Sequence, residues 1–296
     1  MAQRQPQHPR SKPALPPQLA AVNLHAAGMD VGAEAHSSPL KMAKVEPMTY
    51  KELFYPEARF GGFTDIDGTI AFFNRVNSLL DSSFTVLDVG CGRGAYADDP
   101  IPLRRNLRIL KGKVSKIIGI DVDYTAQDNP FLDEFHLIKE DYWPIENSSV
   151  DLILCDSVLE HVNNPNQFFS EVHRTLKDRG YFCIRTPNRW SYIAFFATVI
   201  PNKYHSRVIS FVQDGRKEED VFPTVYKCNS IRRLKNMMKN HGFEYVVYGY
   251  EAEPSYLSFS KNAYWLGVLH QRFAPRFLKP VIFAFGRLKN SKGTGS

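Results

Sequence analysis

The sequence predicts an α/β fold with a mostly parallel, doubly wound sheet. Apolar runs of strand length recur between residues 84 and 186, and patterns of helical period lie between them. Four of these runs end in glycines or acidic residues, as expected where parallel strands reach the carboxyl edge of an open sheet. Because such folds bind ligands at that edge, we expect the functional site there.

Residues 1–47 are predicted to be a disordered extension. They contain seven prolines and no periodic apolar stripe, so burial cannot offset the entropy of ordering them. Within them, residues 19–32 resemble the start of an insertion-element transposase, but the resemblance ends there. We interpret the extension as a fusion scar or a mistaken start, with Met42 or Met48 as the true first residue.

Residues 48–83 are predicted to form an N-terminal cap helix over the ligand cleft. Asp67 is placed to cap a helix, because Ile70, Phe73 and Val76 follow it at helical spacing. In this kind of fold, a leading helix packs over the cleft, so this region is expected to line the pocket.

A different class of function is suggested by the same stretch. Residues 63–70 resemble the nucleophile loop of haloacid-dehalogenase-type phosphatases, in which two carboxylates and Mg²⁺ act on a phosphate ester. Asp65 and Asp67 would be those carboxylates. The loop of that family follows a buried apolar strand, whereas Arg59 and two glycines precede this one, so we favour the helix cap.

The apolar run over residues 84–89 leads into a D-x-G-x-G-x-G turn. Alternate glycines remove side chains, so the backbone can bend tightly and approach a ligand closely. The third glycine comes one residue too early for a dinucleotide fingerprint, and the Lys-Ser/Thr pair of a phosphate-binding loop is missing. The candidate ligand-binding residues of this turn are Asp88, Gly90, Cys91, Gly92 and Gly94.

Polar residues follow the next three strands at the same edge. The strand over 117–120 ends in Asp121, whose carboxylate can accept hydrogen bonds from both hydroxyls of a ribose. The strand over 135–138 precedes Asp141, which can accept a hydrogen bond from an adenine amino group. These positions predict a nucleoside site. The other candidates for it are Val122, Asp123, Tyr142, Trp143, Asp156 and Ser157, with Tyr142 or Trp143 flanking the ring.

With these motifs in place, residues 84–190 resemble a class I S-adenosylmethionine-dependent methyltransferase of the small-molecule type. The matching motifs are VLDVGCGRG, IIGIDVD, EDYWPI, VDLILCDSVLEHV and GYFCIRTPN. The resemblance implies a Rossmann-like seven-stranded sheet with helices on both faces, and S-adenosyl-L-methionine as the cofactor. It implies that the glycine turn holds the methionine part, Asp121 the ribose and Asp141 the adenine. One departure is the pair Pro100 and Pro102, which predicts a short or displaced first helix.

The cofactor-binding core is predicted to span 84–186. Its clearest helix is capped by Asn164, opens at Pro165 and ends before Gly180, and residues 181–186 form the fifth strand.

Two further regions follow the core. Residues 187–228 are rich in aromatic and basic side chains, and by the resemblance such an insertion builds the acceptor pocket. Residues 229–290 are predicted to form the C-terminal part of the sheet, with a helix over 230–240 and strands over 243–250 and 281–288.

Three residues are candidates for a role in methyl transfer. An oxygen acceptor gains from a general base, and His161 follows the fourth strand at the edge of the cleft. A structural role for His161 is the alternative. His205 lies in the insertion, and Asp156 is interpreted as a carboxylate in the wall of the cleft, with contact to the acceptor as the alternative. No metal site is expected, because no Cys/His spacing typical of metal ligands is present.

The composition of the chain limits the classes of partner that we expect it to bind. The net charge is +6, and its densest part is six Lys and Arg residues within 104–116. No aromatic residue is interleaved there, so no nucleic-acid groove is expected. We interpret this cluster as a solvated helix face, with contact to an anionic substrate or a membrane surface as the alternative.

Apolar runs such as 192–200 are far shorter than the ~20 residues of a membrane span. Four widely spaced cysteines predict reduced thiols and a cytoplasmic protein.

These observations predict an enzyme that transfers a methyl group from S-adenosylmethionine to a small-molecule acceptor. An oxygen of a saccharide, lipid or secondary metabolite is favoured, because the aromatic insertion can stack on apolar faces of such acceptors. The phosphohydrolase is the alternative from another class. A non-catalytic protein that binds the cofactor is the third possibility.

Overall fold

In the described residues, seven strands form one sheet in the order β3-β2-β1-β4-β5-β7-β6. The computed structural model describes residues 48–140, 142–194 and 224–290. Strands β1 to β5 pair in parallel, and β7 is antiparallel to both β5 and β6. The predicted mostly parallel, doubly wound sheet is confirmed. The strands are β1 (Thr85–Val89), β2 (Lys116–Asp121), β3 (Glu134–Leu137), β4 (Val150–Asp156), β5 (Leu176–Pro187), β6 (Phe243–Tyr250) and β7 (Val281–Leu288).

Several helices begin at capping side chains. The Asp67 carboxylate accepts from the N–H groups of Thr69 and Ile70, and Asn164 and Ser230 cap later helices in the same way. The predicted caps at Asp67 and Asn164 are confirmed, and the cap at Ser230 was not predicted. The α-helices that lie entirely within the described residues are α1 (Tyr50–Phe54), α2 (Gly68–Asn77), α3 (Pro102–Arg108), α4 (Pro165–Thr175), α5 (Ile231–Asn240) and α6 (Lys261–Phe273).

The helix after the glycine turn is short, as the prolines predicted. A single 3₁₀ turn over 95–98 follows Gly94, and α3 starts only at Pro102. Proline suits the first turn of a helix because its missing N–H needs no partner there.

The start of the fifth strand was predicted wrongly. Strand β5 begins at Leu176, directly after α4, so Gly180 lies inside the strand instead of following a helix. Leu176 pairs with Val150, and the register then shifts before Tyr181 pairs with Leu152. This early pairing with β4 is a long-range contact that no local pattern reveals.

The sheet is covered on both faces. Because side chains alternate along a strand, β1 presents Leu87 to one face and Val86 to the other, and both are fully buried. The face of Leu87 packs with α4 and α5, and the face of Val86 packs with Phe72 and Phe73 of α2. Fully burying a side chain of this size stabilises the fold by about 1.5–3 kcal/mol. The two cores therefore hold the strand ends in fixed positions.

The carboxyl edge of the sheet gathers the ends of six strands and the start of the seventh. The parallel strands β1 to β5 all end there. Pro187 at the end of β5 pairs with Val281, and Tyr250 at the end of β6 pairs with the same residue. The connection between β6 and β7 therefore lies at the same edge as the glycine turn.

Two further observations concern membrane spans and disulfides. None of the helices in the described ranges is long and apolar enough to cross a membrane. The four cysteines are buried and form no disulfide with one another.

Candidate active site

The glycine turn is held in a left-handed backbone conformation. Gly90, Gly92 and Gly94 have φ values of 65°, 54° and 75°, which favour glycine over any residue with a side chain. The N–H of Gly90 donates to the carbonyl of Ile120 at 2.8 Å, and the N–H of Gly92 donates to Oδ2 of Asp121 at 2.9 Å. The turn after β1 is therefore fastened to the end of β2.

Asp121 is the residue that joins the two strand ends. Its side chain is buried, and its Oδ1 accepts from the N–H of Asp123 at 3.0 Å. Val122 is exposed beside it, and Asp123 caps the 3₁₀ turn over 124–128 through the N–H of Thr125. Each Asp121 oxygen retains a second lone pair for a ligand.

Asn129 completes this turn and was missed by sequence reasoning. Its buried side-chain amide donates to the carbonyls of Cys91 and Gly92 at 3.1 and 3.0 Å. Its Oδ1 accepts from the N–H of Phe131, so the amide is satisfied on both sides. The Asn-Pro dipeptide at 129–130 is a turn signal, but nothing local shows that its side chain reaches the glycines.

A cavity of about 60 Å³ opens between the ends of β1 and β4. Its lining residues are Phe73, Asp88, Gly90, Cys91, Tyr96, Arg108, Leu154 and Asp156.

The interpretation of the basic cluster within 104–116 as a solvated helix face is wrong for Arg108, which lines this cavity. Its guanidinium lies over the ring of Tyr96 at 4.8 Å and 3.9 Å from Oδ2 of Asp156. Within the described ranges, its Nε is buried and has no hydrogen-bond partner. Arg104, one helical turn earlier, binds Asp99 and Asp67. Two of the six basic side chains thus face inward, because α3 lies against the cavity.

Asp88 is the second charged group in the cavity. Burial, with the negative charge of Asp156 adding to it, raises the pKa of Asp88 to about 7. The positive charge of Arg108 acts in the opposite direction, and Asp121 raises the pKa further. Asp88 and Arg108 therefore place an acidic and a basic group on one small cavity.

We expect Asp88→Asn to stabilise the protein at pH 8. A pKa that is higher in the folded state means that the carboxyl contributes stability at low pH, which is lost as the pH rises from about 4 to about 7. An amide does not ionise, so the variant escapes the cost of ionising a buried carboxyl, which is on the order of a few kcal/mol for a pKa of about 7. Urea unfolding at pH 5 and pH 8 measures this, with the exposed Asp128→Asn as control. An unchanged pH dependence in Asp88→Asn would contradict it.

Asp156 is paired, which removes it as a candidate for a free general base. Arg185 donates to both of its carboxylate oxygens at 2.6 Å. Burial alone would raise the pKa of Asp156, but the charge and hydrogen bonds of Arg185 outweigh it and hold the pKa below its usual range. Ser157, next in the chain, has a left-handed φ of 61°, and its N–H donates to the carbonyl of Arg185. The carboxylate is therefore a structural wall of the cavity.

The two candidate ring-flanking residues differ in their surroundings. Tyr142 is exposed, and the guanidinium of Arg174 lies 4.9 Å from its ring centre. Trp143 is buried in the core, edge-on to Phe168 at 5.2 Å. Trp143 therefore has a packing role, and Tyr142 is the ring available at the surface. Asp141 lies outside the described residues.

His161 lies next to a buried carboxylate. Its Nε2 is 4.0 Å from Oε1 of Glu160. Burial raises the pKa of Glu160, whose Oε2 accepts from Thr186, and Thr186 in turn accepts from Asn229. This buried chain of hydrogen bonds links the end of β4 to β5 and was not foreseen. His205 lies outside the described residues, as do residues 195–223 of the predicted acceptor-side insertion and the transposase-like stretch.

The phosphohydrolase alternative finds no support in the geometry. Asp67 caps α2 and pairs with Arg104 at 3.2 Å, so its carboxylate is engaged in structure. Among the described residues, no group of three or more His, Cys, Asp or Glu side chains is arranged to hold a metal ion.

The chain is similar to known methyltransferases. A family model described as a methyltransferase domain matches residues 64–248. A probable S-adenosylmethionine-dependent methyltransferase of Mycolicibacterium smegmatis is 29% identical over 130 residues, covering 42% of this chain and 46% of the relative. The mitochondrial ubiquinone biosynthesis O-methyltransferase of Candida albicans is 29% identical over 142 residues, covering 44% and 40%. The chain thus spans less than half the length of these two relatives.

Among solved structures, an S-adenosylmethionine-dependent methyltransferase from Archaeoglobus fulgidus is similar with a TM-score of 0.47 and 17% identity. The match covers 80% of this chain and 99% of that one. Because the family model spans well over half of the sequence, the chain belongs to the methyltransferase domain family, whose cofactor is S-adenosylmethionine.

Proposed function

We propose that this chain transfers the methyl group of S-adenosylmethionine to a small-molecule acceptor. The observation that carries the proposal is the glycine turn, which Asp121 fastens to β2 beside a cavity lined by Asp88 and Arg108. An acceptor oxygen is favoured. The relatives named ubiquinone biosynthesis O-methyltransferase support an oxygen acceptor, and the aromatic residues after β5 are suited to a saccharide, lipid or secondary metabolite.

The residues present fit the cofactor. A Cβ on Gly92 would have no heavy atom within 4 Å, so its backbone is open to close approach by a ligand. Asp88 and Arg108 are complementary to the ammonium and carboxylate groups of the methionine part. Asp121 is proposed to accept from the ribose hydroxyls, with Val122 and Asp123 beside it. Cys91 and Gly94 complete the turn, and Asp141 and Tyr142 remain proposed for the adenine.

When bound, the cofactor supplies an electrophilic methyl group. The chain's own contribution is to hold the two reactants in line and to exclude water, which can provide most of the rate enhancement. For a hydroxyl acceptor, His161 is the proposed base within the described residues, and its Nε2 lies 4.0 Å from Oε1 of Glu160. His205 remains a second proposal. Residues 48–83 are proposed as the cap, since Phe73 of α2 already lines the cavity.

Calorimetric titration with S-adenosylhomocysteine tests the cofactor site. We expect Asp121→Ala to weaken binding about 10- to 100-fold, because it removes a charged acceptor and leaves two backbone N–H groups unpaired. Asp81→Ala is the matched control, since its exposed carboxylate accepts from Ser83 in the turn before β1, away from the carboxyl edge of the sheet. Absence of binding to the wild-type chain would contradict the proposal.

Transfer of a radiolabelled methyl group to a panel of hydroxylated saccharides, quinols and lipids tests the activity. Labelled product that requires His161 supports it as the base. Tight binding of S-adenosylhomocysteine without transfer to any acceptor would favour the non-catalytic alternative.

A further inference from the structure

The connection between β6 and β7 carries an unusual concentration of exposed apolar side chains. We call residues 254–280 the β6–β7 segment; it contains α6 and two 3₁₀ turns. Of the 15 large apolar side chains exposed in the described part of the chain, six lie in this segment. They are Tyr256, Phe259, Trp265, Leu266, Phe273 and Phe277. Clustered exposed apolar residues mark interaction sites more often than isolated ones do.

Helix α6 is apolar on two opposite sides. Its inner side buries Tyr264 and Val268, and Tyr264 stacks on Phe54 of α1 at 5.5 Å. Its outer side presents Trp265 and Phe273, which are 49% and 78% exposed. With Leu266 and Leu269 these residues fall within roughly 100° of arc, the width of an apolar stripe that normally faces a core. Within the fold, this outer stripe has no comparable partner among the described residues.

The exposed charges of the β6–β7 segment have one sign. Lys261, Arg272 and Arg276 are exposed, and no Asp or Glu occurs between residues 254 and 280. Lys279 turns inward and pairs with Glu251, so it does not contribute to the surface. The exposed charges of the segment are therefore basic and lie beside aromatic rings.

The β6–β7 segment contacts the residues that follow β5, on the acceptor side of the predicted active site. Asn188, just after β5, donates to the carbonyls of Phe277 and Lys279 at 2.7 and 2.9 Å. Tyr192 packs edge-on against His270 at 4.9 Å. A surface that binds the β6–β7 segment would thus be close to the carboxyl edge of the sheet.

We propose that the β6–β7 segment docks on the surface of an anionic lipid bilayer. Aromatic and aliphatic side chains enter the interface, and basic side chains bind anionic headgroups, which is the combination seen here. The helix lies along the surface and does not cross it. A protein partner with an acidic surface would also match the charge, but it predicts no binding to anionic vesicles, and the experiment below measures that binding. The docking goes beyond the proposed function and does not depend on it.

Flotation of the full chain with vesicles tests the docking. We expect binding to vesicles of equal parts phosphatidylglycerol and phosphatidylcholine, and weak binding to phosphatidylcholine alone. The double variant Trp265→Ser/Phe273→Ser should lower partitioning by roughly tenfold or more. Arg272→Gln/Arg276→Gln should lower binding to the anionic vesicles and reduce its dependence on salt. Val246→Ser, which is 61% exposed on β6, is the matched control and should bind like wild type.

The outcomes separate docking from misfolding and from other occupants. Each variant should keep the wild-type melting temperature and affinity for S-adenosylhomocysteine. The proposal is overturned if wild type does not bind anionic vesicles, or if Val246→Ser loses as much binding as the double variant. It is also overturned if, without lipid, sedimentation shows a dimer that the double variant converts to a monomer, since a second copy would then cover the stripe. Failure of methyl transfer leaves these readouts unaffected.

Discussion

Replacing Arg185 with Met should lower the free energy of unfolding by about 3–5 kcal/mol. The Arg185 side chain is 15% exposed, binds both oxygens of Asp156 and also donates to the hydroxyl of Thr69 at 2.8 Å. Its guanidinium lies 5.4 Å from the ring centres of Phe72 and Phe73. The substitution keeps the apolar stem but leaves a buried carboxylate with only the more distant Arg108 for compensation. Urea unfolding at pH 7 measures the loss.

Lys177→Met is the matched control. Lys177 binds Asp151 at 2.8 Å, a comparable distance, but the two side chains are 42% and 20% exposed. Solvent screens such a pair, so we expect a cost below about 1 kcal/mol. The double variant Arg185→Met/Asp156→Leu should recover much of the lost stability, because it removes the uncompensated charge. If Arg185→Met and Lys177→Met lowered the free energy of unfolding equally, the buried pair would not be a special determinant of stability.

Gly90→Ala should abolish tight binding of S-adenosylhomocysteine and destabilise the fold by about 2–4 kcal/mol. Gly90 has a φ of 65°, and a Cβ at this position would come 2.3 Å from Cγ2 of Val158. Either the turn, which lines the cavity, or the residues after β4 must therefore move. Calorimetry and urea unfolding measure the two effects separately.

Gly112 is the matched control for Gly90. It has a φ of 83°, but a Cβ added there would have no heavy atom within 4 Å. Gly112→Ala should therefore show only the cost of backbone strain, about 1–2 kcal/mol, and normal binding. Adding Val158→Ala to Gly90→Ala should restore part of the binding, because it removes the clashing methyl group. Normal binding by the single Gly90→Ala variant would contradict this account of the turn.

Local signals predicted most of the fold. Capping by Asp67 and Asn164, and strand runs such as Val150–Asp156, depend on residues within one or two turns of each other, so the sequence displays them directly. The beginning of β5 at Leu176 depends on pairing with β4, and a pattern of neighbouring residues does not contain that information.

The site was predicted in part for the same reason. Gly92 and Asp121 stand at strand ends, where topology brings them together once the strand order is known. Asn129 reaches the glycine turn only through the path of the chain after β2. Arg108 shares a basic stretch with solvated lysines, and only the placement of α3 against the cavity turns it inward.

The sequence by itself determined the fold class, the glycine turn and the acidic end of β2, and its resemblance to class I methyltransferases implied the cofactor. Only the tertiary structure decided that Asp156 is neutralised by Arg185, which is 29 residues away, and that an acidic and a basic side chain share the cavity. It also decided which apolar side of α6 is exposed. The two apolar sides of this helix look alike in sequence, and only the packing of α6 on the fold distinguishes them. The physical reason is that burial and charge pairing depend on which elements pack together, and that packing is set by the sheet as a whole.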